Sequence, residues 1–399
     1  MPPERTGTTR PDLLQRLAAA TAAREHEGLL RRVRTVESRR GVEIVVDGRH
    51  LIGFCSNDYL GLADHPDLIA ALCKAAADDG VGGTAAHLIC GHHREHAALE
   101  EALADWTGRD RALLFSTGIM ANLGSMQALL PMERGEPALC VQDRLNHASL
   151  IDGARLAGAE LRRYPHVDID GARRQLQARP GAPAMLATDG VFSMDGDMAP
   201  LAELAALCRE ESALLHVDDA HGLGVVGPAG AGSLTLAGLG QVEAPLLMAT
   251  LGKALGCAGA FVAGSTGLID GLTQFARSYV YTTAMPPALA AATRVAVSLA
   301  RGADDRREKL AALIARFRDG AGQLGLNLMD SPTPIQPILV GDAAAATAAA
   351  RALEARGYLV TAIRPPTVPD GKARLRVTLS AAHEDHHVDG LLAALAATL

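Results

Sequence analysis

Between about residue 65 and residue 285, short aliphatic runs recur, alternate with helical patterns, and stop at residues able to do chemistry. Arg111–Phe115 runs into Ser116-Thr117-Gly118. Ala184–Ala187 runs into Thr188-Asp189 and then Ser193. Ala213–Val217 runs into Asp218-Asp219-Ala220-His221. Pro245–Ala249 runs into Thr250-Leu251-Gly252-Lys253. Near-continuous apolar strands are buried on both faces, which is the mark of a parallel sheet covered by helices. In such sheets ligands bind outside the carboxyl ends of the strands. The chain is therefore expected to be α/β, with a mainly parallel sheet and its site where these runs end.

Lys253 is the most telling of the polar ends. It stands among small, uncharged residues in Ala249-Thr250-Leu251-Gly252-Lys253-Ala254-Leu255-Gly256. Apolar packing disfavours the charged ammonium, lowers its pKa and leaves a nucleophilic amine. Such an amine forms a Schiff base with an aldehyde, and pyridoxal 5'-phosphate (PLP) is the aldehyde that recurs in biology. The other strand ends offer what PLP needs. Asp218 is a carboxylate able to keep a pyridine nitrogen protonated, and His221 lies three residues on. Ser116-Thr117-Gly118, opening a helix, is an anion site suited to a phosphate. Taken singly, each has a plainer reading: a surface lysine, a solvated turn, an ordinary helix cap. Their order along one sheet favours the joint reading.

At 399 residues the chain is long enough for more than one domain. We expect an N-terminal helix and hairpin segment (1–60), a large domain (61–290) and a smaller C-terminal α+β domain (291–399). Residues up to about 10 are polar and expected to be mobile. Asp12 to Arg34 reads as an amphipathic helix ending in Arg31, Arg32 and Arg34. A hairpin is expected around Asp47-Gly48. A long helix should start after Met285-Pro286-Pro287. Beyond it, Ile335–Val340, Tyr358–Ala362 and Leu375–Leu379 read as strands. A formal net charge of −7 argues against a general nucleic-acid role. Six cysteines fall singly, without metal or redox spacing, and Met1-Pro2-Pro3-Glu4-Arg5 lacks the apolar run of a signal peptide, so a cytoplasmic location is expected. The apolar run Ala288–Ala300 is too short for a membrane span and contains Arg294.

Two rival chemistries are weaker. Gly222-Leu223-Gly224-Val225-Val226-Gly227 fits a dinucleotide-binding glycine pattern, but Pro228-Ala229-Gly230-Ala231-Gly232 follows where that motif needs a helix. His92, His93 and His96, and again His383, His386 and His387, cluster in sequence. No cysteine or carboxylate set completes a ligand shell, so they read as exposed helix histidines and no metal is expected.

Five motifs together resemble the α-oxoamine synthase family: Asn57-Asp58-Tyr59-Leu60-Gly61-Leu62, Asp143-Arg144-Leu145-Asn146-His147-Ala148-Ser149-Leu150, Asp189-Gly190-Val191-Phe192-Ser193-Met194-Asp195-Gly196, Val217-Asp218-Asp219-Ala220-His221-Gly222 and Thr250-Leu251-Gly252-Lys253. The resemblance runs from about Arg31 onward. It implies the PLP-dependent transferase fold type I, a large α/β domain with a helix-flanked sheet and a smaller C-terminal α+β domain. The run Thr361-Ala362-Ile363-Arg364-Pro365-Pro366-Thr367-Val368-Pro369 is similar to the branch that joins L-alanine to a pimeloyl thioester for biotin synthesis. Sister branches use glycine or long-chain acyl donors.

The resemblance also implies roles. Lys253 carries PLP, Asp218 faces its ring nitrogen and His147 stacks on the ring. His221 and Ser193 lie near the ring hydroxyl, while Gly118, Ile119 and Thr250 lie at the phosphate. Arg376 takes the amino-acid carboxylate, and Arg31 and Thr367 contact the acyl substrate, carried on coenzyme A or an acyl-carrier protein. Thr282 and Thr283 are expected to reach the phosphate of the other subunit, which implies a homodimer. Two departures stand out: Gly80–Gly91 is bulkier than the usual glycine- and serine-rich run, and Ile119 stands where an aromatic is frequent. A ligand-binding regulatory module on the same fold is the non-enzymatic alternative. The N-terminal segment is expected to be too short for the DNA-binding domain such modules carry.

Overall fold

The computed structural model describes residues 10–130 and 136–399. The leading segment expected to be mobile lies, apart from Arg10, outside the described residues. Strands β1 (Val36–Arg40), β2 (Glu43–Val46) and β3 (Arg49–Gly53) form an antiparallel meander, with the expected hairpin between β2 and β3. Seven strands then build the central sheet: β4 (Arg111–Phe115), β5 (Leu139–Asp143), β6 (Glu160–Tyr164), β7 (Ala184–Asp189), β8 (Leu214–Asp218), β9 (Leu246–Thr250) and β10 (Ala260–Gly264). Their order is β4-β10-β9-β8-β7-β5-β6. Only β10 runs against its neighbours in this sheet.

Side chains alternate between the two faces of each strand, and both faces are buried. Leu113, Phe115, Met185, Ala187, Leu246 and Met248 enter one core. Leu139, Val141, Leu186, Leu215, Val217 and Leu247 enter another. This two-sided burial explains why the strands read as unbroken aliphatic runs. The connection Leu251–Gly259 folds back on itself, with the Leu251 amide donating to the Gly259 carbonyl at 2.9 Å. Lys253 sits in this turn, just past the end of β9.

In the C-terminal part, β11 (Ile335–Gly341), β12 (Tyr358–Leu359), β13 (Thr361–Ile363) and β14 (Ala373–Thr378) occupy the expected positions. The strand expected over Tyr358–Ala362 is divided. β12 pairs in parallel with β3, whereas β13 pairs antiparallel with β14. Buried Val360 marks the change of sheet. The N-terminal meander and the C-terminal part therefore share a sheet. The helix after Pro286 spans Pro287–Arg301, with proline in its first turn. It packs on helices Pro66–Asp79 and Arg94–Thr107.

Two expectations are corrected. The first helix covers only Leu13–His26 and ends before Gly28, whose φ of 67° suits glycine. Arg31, Arg32 and Arg34 follow it in an irregular segment, and no residue of that helix is buried within one chain. The histidine clusters are also not simply exposed helix residues. His93 caps the helix Arg94–Thr107, so His92 precedes it, and His96 is fully buried. His383 is buried too, stacked on Phe54 with ring centroids 4.2 Å apart.

Candidate active site

The carboxyl ends of β4, β5, β7, β8 and β9 converge on a cavity of about 190 Å³. Gly118, Ile119, His147, Ser193, Asp218, His221, Thr250 and Lys253 all line it, where the strand ends and, for Ile119 and His147, the family resemblance lead one to expect them. Asn122, Ser149 and Asp189 line it as well.

Asp218, the last residue of β8, is locked in place. Its Oδ2 accepts from Asn122 Nδ2 at 2.8 Å and its Oδ1 from the Ala220 amide at 3.1 Å. Asn122 also donates to Ser149 Oγ at 2.8 Å, and Ser149 Oγ lies 2.7 Å from His147 Nδ1. One amide thus connects the carboxylate to the imidazole. The neighbouring Asp219 points away. Its oxygens accept from the Ser233 hydroxyl at 2.6 Å and the Ser233 amide at 2.7 Å. Gly222 makes room for it, since a Cβ there would lie 2.1 Å from Asp219 Oδ1. Burial pushes the Asp219 carboxyl up to about 7. Asp189 is pushed well above the carboxylate range, by burial and then by the charge of Asp218. Of the adjacent pair Asp218 and Asp219, Asp218 is the one that lines the cavity.

At the opposite wall Lys253 Nζ lies 3.0 Å from His221 Nε2. Burial lowers the lysine pKa from its ordinary value. His221 is driven well below its usual range by burial and by the Lys253 charge. His221 Nδ1 lies 2.6 Å from Tyr59 Oη, which lies 3.3 Å from Asn57 Oδ1. Arg376 Nη2 donates to the same Asn57 oxygen at 3.3 Å. Tyr59 and Asn57 come from the loop after β3, so this chain of contacts crosses from the N-terminal part into the sheet.

The third wall fits a phosphate. Helix Gly118–Leu129 begins there with Thr117 as its cap, and Gly118 and Ile119, whose amides lack intrahelical partners, line the site. A Cβ at Gly118 would lie 2.9 Å from Thr250 Cγ2, so the helix start and β9 approach this closely because residue 118 is glycine. Thr250 Oγ1 is buried with no partner among the described residues. A buried hydroxyl without a partner is costly, and an anion at the helix start would satisfy it. Carboxylate, lysine and anion cradle therefore match the three polar features of PLP.

Five expected residues lie outside this cavity, among them the half-buried Thr282. Arg376 is buried one layer behind it, its Nε donating to the Ser193 carbonyl at 2.7 Å and its Nη1 to Thr378 Oγ1 at 2.9 Å. Two residues earlier on β14, Arg374 pairs with Asp195 at 2.7 Å, whereas Arg376 makes no ion pair among the described residues. Thr367 lines an adjoining groove of about 990 Å³ that shares His147 and Ser193 with the cavity. Thr283 and Arg31 are exposed and line neither space. Of the residues not singled out beforehand, Asn122 carried a local signal: it stands one helical turn after Gly118, on the same face. Tyr59 stands in one of the quoted motifs, but its contact with His221, 162 positions away, carried no local signal.

The chain matches the aminotransferase class I and II family over residues 49–395. It is 55% identical over 388 residues to the 8-amino-7-oxononanoate synthase of Xylella fastidiosa (strain M12), covering 97% of this chain and 96% of the relative. Among solved structures, the Sphingomonas wittichii serine palmitoyltransferase superposes with a TM-score of 0.92 at 30% identity, covering 97% of this chain and 98% of that one. The 8-amino-7-oxononanoate synthase of Francisella tularensis superposes with a TM-score of 0.76 at 29% identity, covering 87% and 97%. The cavity, the strand order and these likenesses agree, and the chain belongs to the aminotransferase class I and II family and, within it, to the 8-amino-7-oxononanoate synthases.

Proposed function

We propose that the chain condenses L-alanine with a pimeloyl thioester, releasing carbon dioxide and the free thiol and yielding 8-amino-7-oxononanoate for biotin synthesis. The observation that carries this reading is the meeting of Lys253, Asp218 and His147 in one small cavity with the anion cradle of Gly118 and Thr250. PLP bound there supplies a pyridinium ring that accepts the electron pair left when alanine loses its α-proton. Lys253, its basicity lowered by burial, is suited to hold the cofactor and then to take that proton at Nζ. Asp218, fixed by Asn122 and the Ala220 amide, would hold the proton on the ring nitrogen of bound PLP. His147, fixed by Ser149, supports the ring face.

Among the described residues Arg376 has no carboxylate partner, and three of its donor contacts go to neutral oxygens. A guanidinium carries five donors, so it has capacity left for the alanine carboxylate. The adjoining groove is bordered by Arg144, Arg155, Arg163 and Lys372 and by Thr367. Its basic border suits an anionic carrier, coenzyme A or an acyl-carrier protein. Arg31 is proposed to contact the acyl chain. Thr283 is proposed to reach the phosphate of a second copy in a homodimer. The proposed place of action is the cytoplasm. No helix among the described residues is long and apolar enough to cross a membrane.

The test is a mass-spectrometric product assay with alanine, glycine and serine against pimeloyl, acetyl and palmitoyl thioesters. Alanine with pimeloyl thioester is expected to turn over fastest. Faster turnover of glycine with acetyl-coenzyme A would refute the substrate assignment.

A further inference from the structure

Behind the loop that holds Thr282 and Thr283 lies a second polar cluster that the proposed reaction does not use. His87, His92 and His96 place one ring nitrogen each within 4.8 Å of the others, the only such cluster of three metal-binding side chains among the described residues. We propose that these three histidines form a binding site for one divalent transition-metal ion of the zinc or cobalt class.

Three segments build the site. His87 opens the turn His87–Gly91, His92 follows that turn, and His96 lies in the first turn of helix Arg94–Thr107. The backbone is packed tightly here. A Cβ at Gly83 would lie 2.0 Å from the Ala284 carbonyl oxygen, and one at Gly91 would lie 2.0 Å from that of Ala85. The ring of Tyr279 lies nearly parallel to His87 with centroids 5.0 Å apart, closing one side. His87 and His96 are buried, whereas the side chain of His92 is 33% exposed, which gives a cation a way in.

The nitrogens are arranged as ligands need them. His87 Nδ1 and His92 Nδ1 lie 3.0 Å apart and share a hydrogen. Two nitrogens bound to one tetrahedral zinc at about 2.1 Å lie about 3.4 Å apart, so this pair is already close to bridging distance. Replacing the shared hydrogen requires only that the donor imidazole move its proton to its other nitrogen. With Nδ1 of His92 engaged, its Nε2–H faces Glu100, whose Oε2 is 3.8 Å away. His96 Nε2 donates to the Met285 carbonyl at 2.8 Å and its Nδ1 accepts from the His93 amide at 2.9 Å, so ligation through Nδ1 requires the ion to displace that one helix-cap bond. A carboxylate behind one ligating histidine and a backbone carbonyl behind another is the outer shell that orients imidazoles on metals.

The test uses chelator-treated, PLP-loaded protein titrated with Zn²⁺ by calorimetry and with Co²⁺ by visible spectroscopy. One equivalent per chain should bind with a dissociation constant of about 1 µM or tighter, with a tetrahedral cobalt spectrum and a raised melting midpoint. His92→Ala, on the exposed rim, should weaken Zn²⁺ at least 100-fold. Cys90→Ser, in the same turn, should leave it unchanged. His92→Asn serves in its place if the alanine variant melts early without metal. Equal uptake by wild type and the His92 variant, loss of uptake in Cys90→Ser, or no uptake by wild type would overturn the proposal and leave the triad a hydrogen-bonded brace.

Discussion

Lys253 Nζ and His221 Nε2 lie 3.0 Å apart, and the contacts beyond them have one consistent polarity. Arg376 can only donate, so Asn57 presents Oδ1, and Tyr59 gives its single hydroxyl hydrogen to that oxygen, which leaves His221 Nδ1–H to donate to Tyr59 and Nε2 to accept. Lys253 therefore donates to His221 Nε2. The tautomer of His221 is set by a residue from a loop outside the sheet.

Tyr59→Phe removes that control without changing shape. It should lower kcat about tenfold, equivalent to about 1.4 kcal/mol, and change the pH profile of kcat/KM, while thermal stability falls by only about 1 kcal/mol. An unchanged pH profile would show that Tyr59 serves packing alone.

The two adjacent aspartates should separate cleanly. Asp218→Asn leaves the fold intact but removes the charge expected at the ring nitrogen, so turnover should drop about 100-fold or more. Asp219→Asn disturbs the buried contacts to Ser233 and should lower the melting midpoint more than turnover per folded molecule. The reverse pattern, measured by kinetics and calorimetry on both variants, would exchange their roles.

His166 bridges Asp143 at 3.0 Å and Asp197 at 2.7 Å, tying the loop that carries His147 to the loop that carries Ser193. Burial alone would lower its pKa, but the hydrogen bonds to both aspartates raise it to about 10. A histidine whose folded pKa is raised stabilises fully below its unfolded value near 6.5 and loses that contribution as pH rises through 10. His166→Leu should cost about 2–3 kcal/mol near neutral pH, less than for a fully buried group because a quarter of the side chain is exposed. The gap between wild type and variant should narrow towards pH 10 in denaturant titrations.

His216, inside β8, has neither ring nitrogen satisfied among the described residues, and burial lowers its pKa to about 4. Its sign is opposite to that of His166. The unfolded chain binds the proton first, so stability is held above about pH 6.5 and lost as pH falls towards 4. Wild type should therefore lose up to about 3 kcal/mol more than His216→Leu between those pH values. Parallel stability curves for the two proteins would reject this account.

The one-dimensional pattern determined a good deal. Lys253, Asp218, Ser193 and Thr250 were legible because each follows a buried strand, and parallel strands deliver their carboxyl ends to one edge of a sheet. Gly118 and Thr117 were legible because a helix start leaves amides unpaired. The turn that carries Lys253 was visible in composition, but not the antiparallel return of β10, since apolar runs do not encode direction. Tertiary structure decided the rest. Which of Asp218 and Asp219 faces the cavity depends on Ser233, fourteen residues further on. The control of His221 by Tyr59, the single layer that separates Arg376 from the cavity, and the gathering of His87 with His92 and His96 all depend on contacts between distant segments. Local periodicity reports which face of an element is buried. It does not report what that face meets, because partner identity is set only when the whole chain is packed.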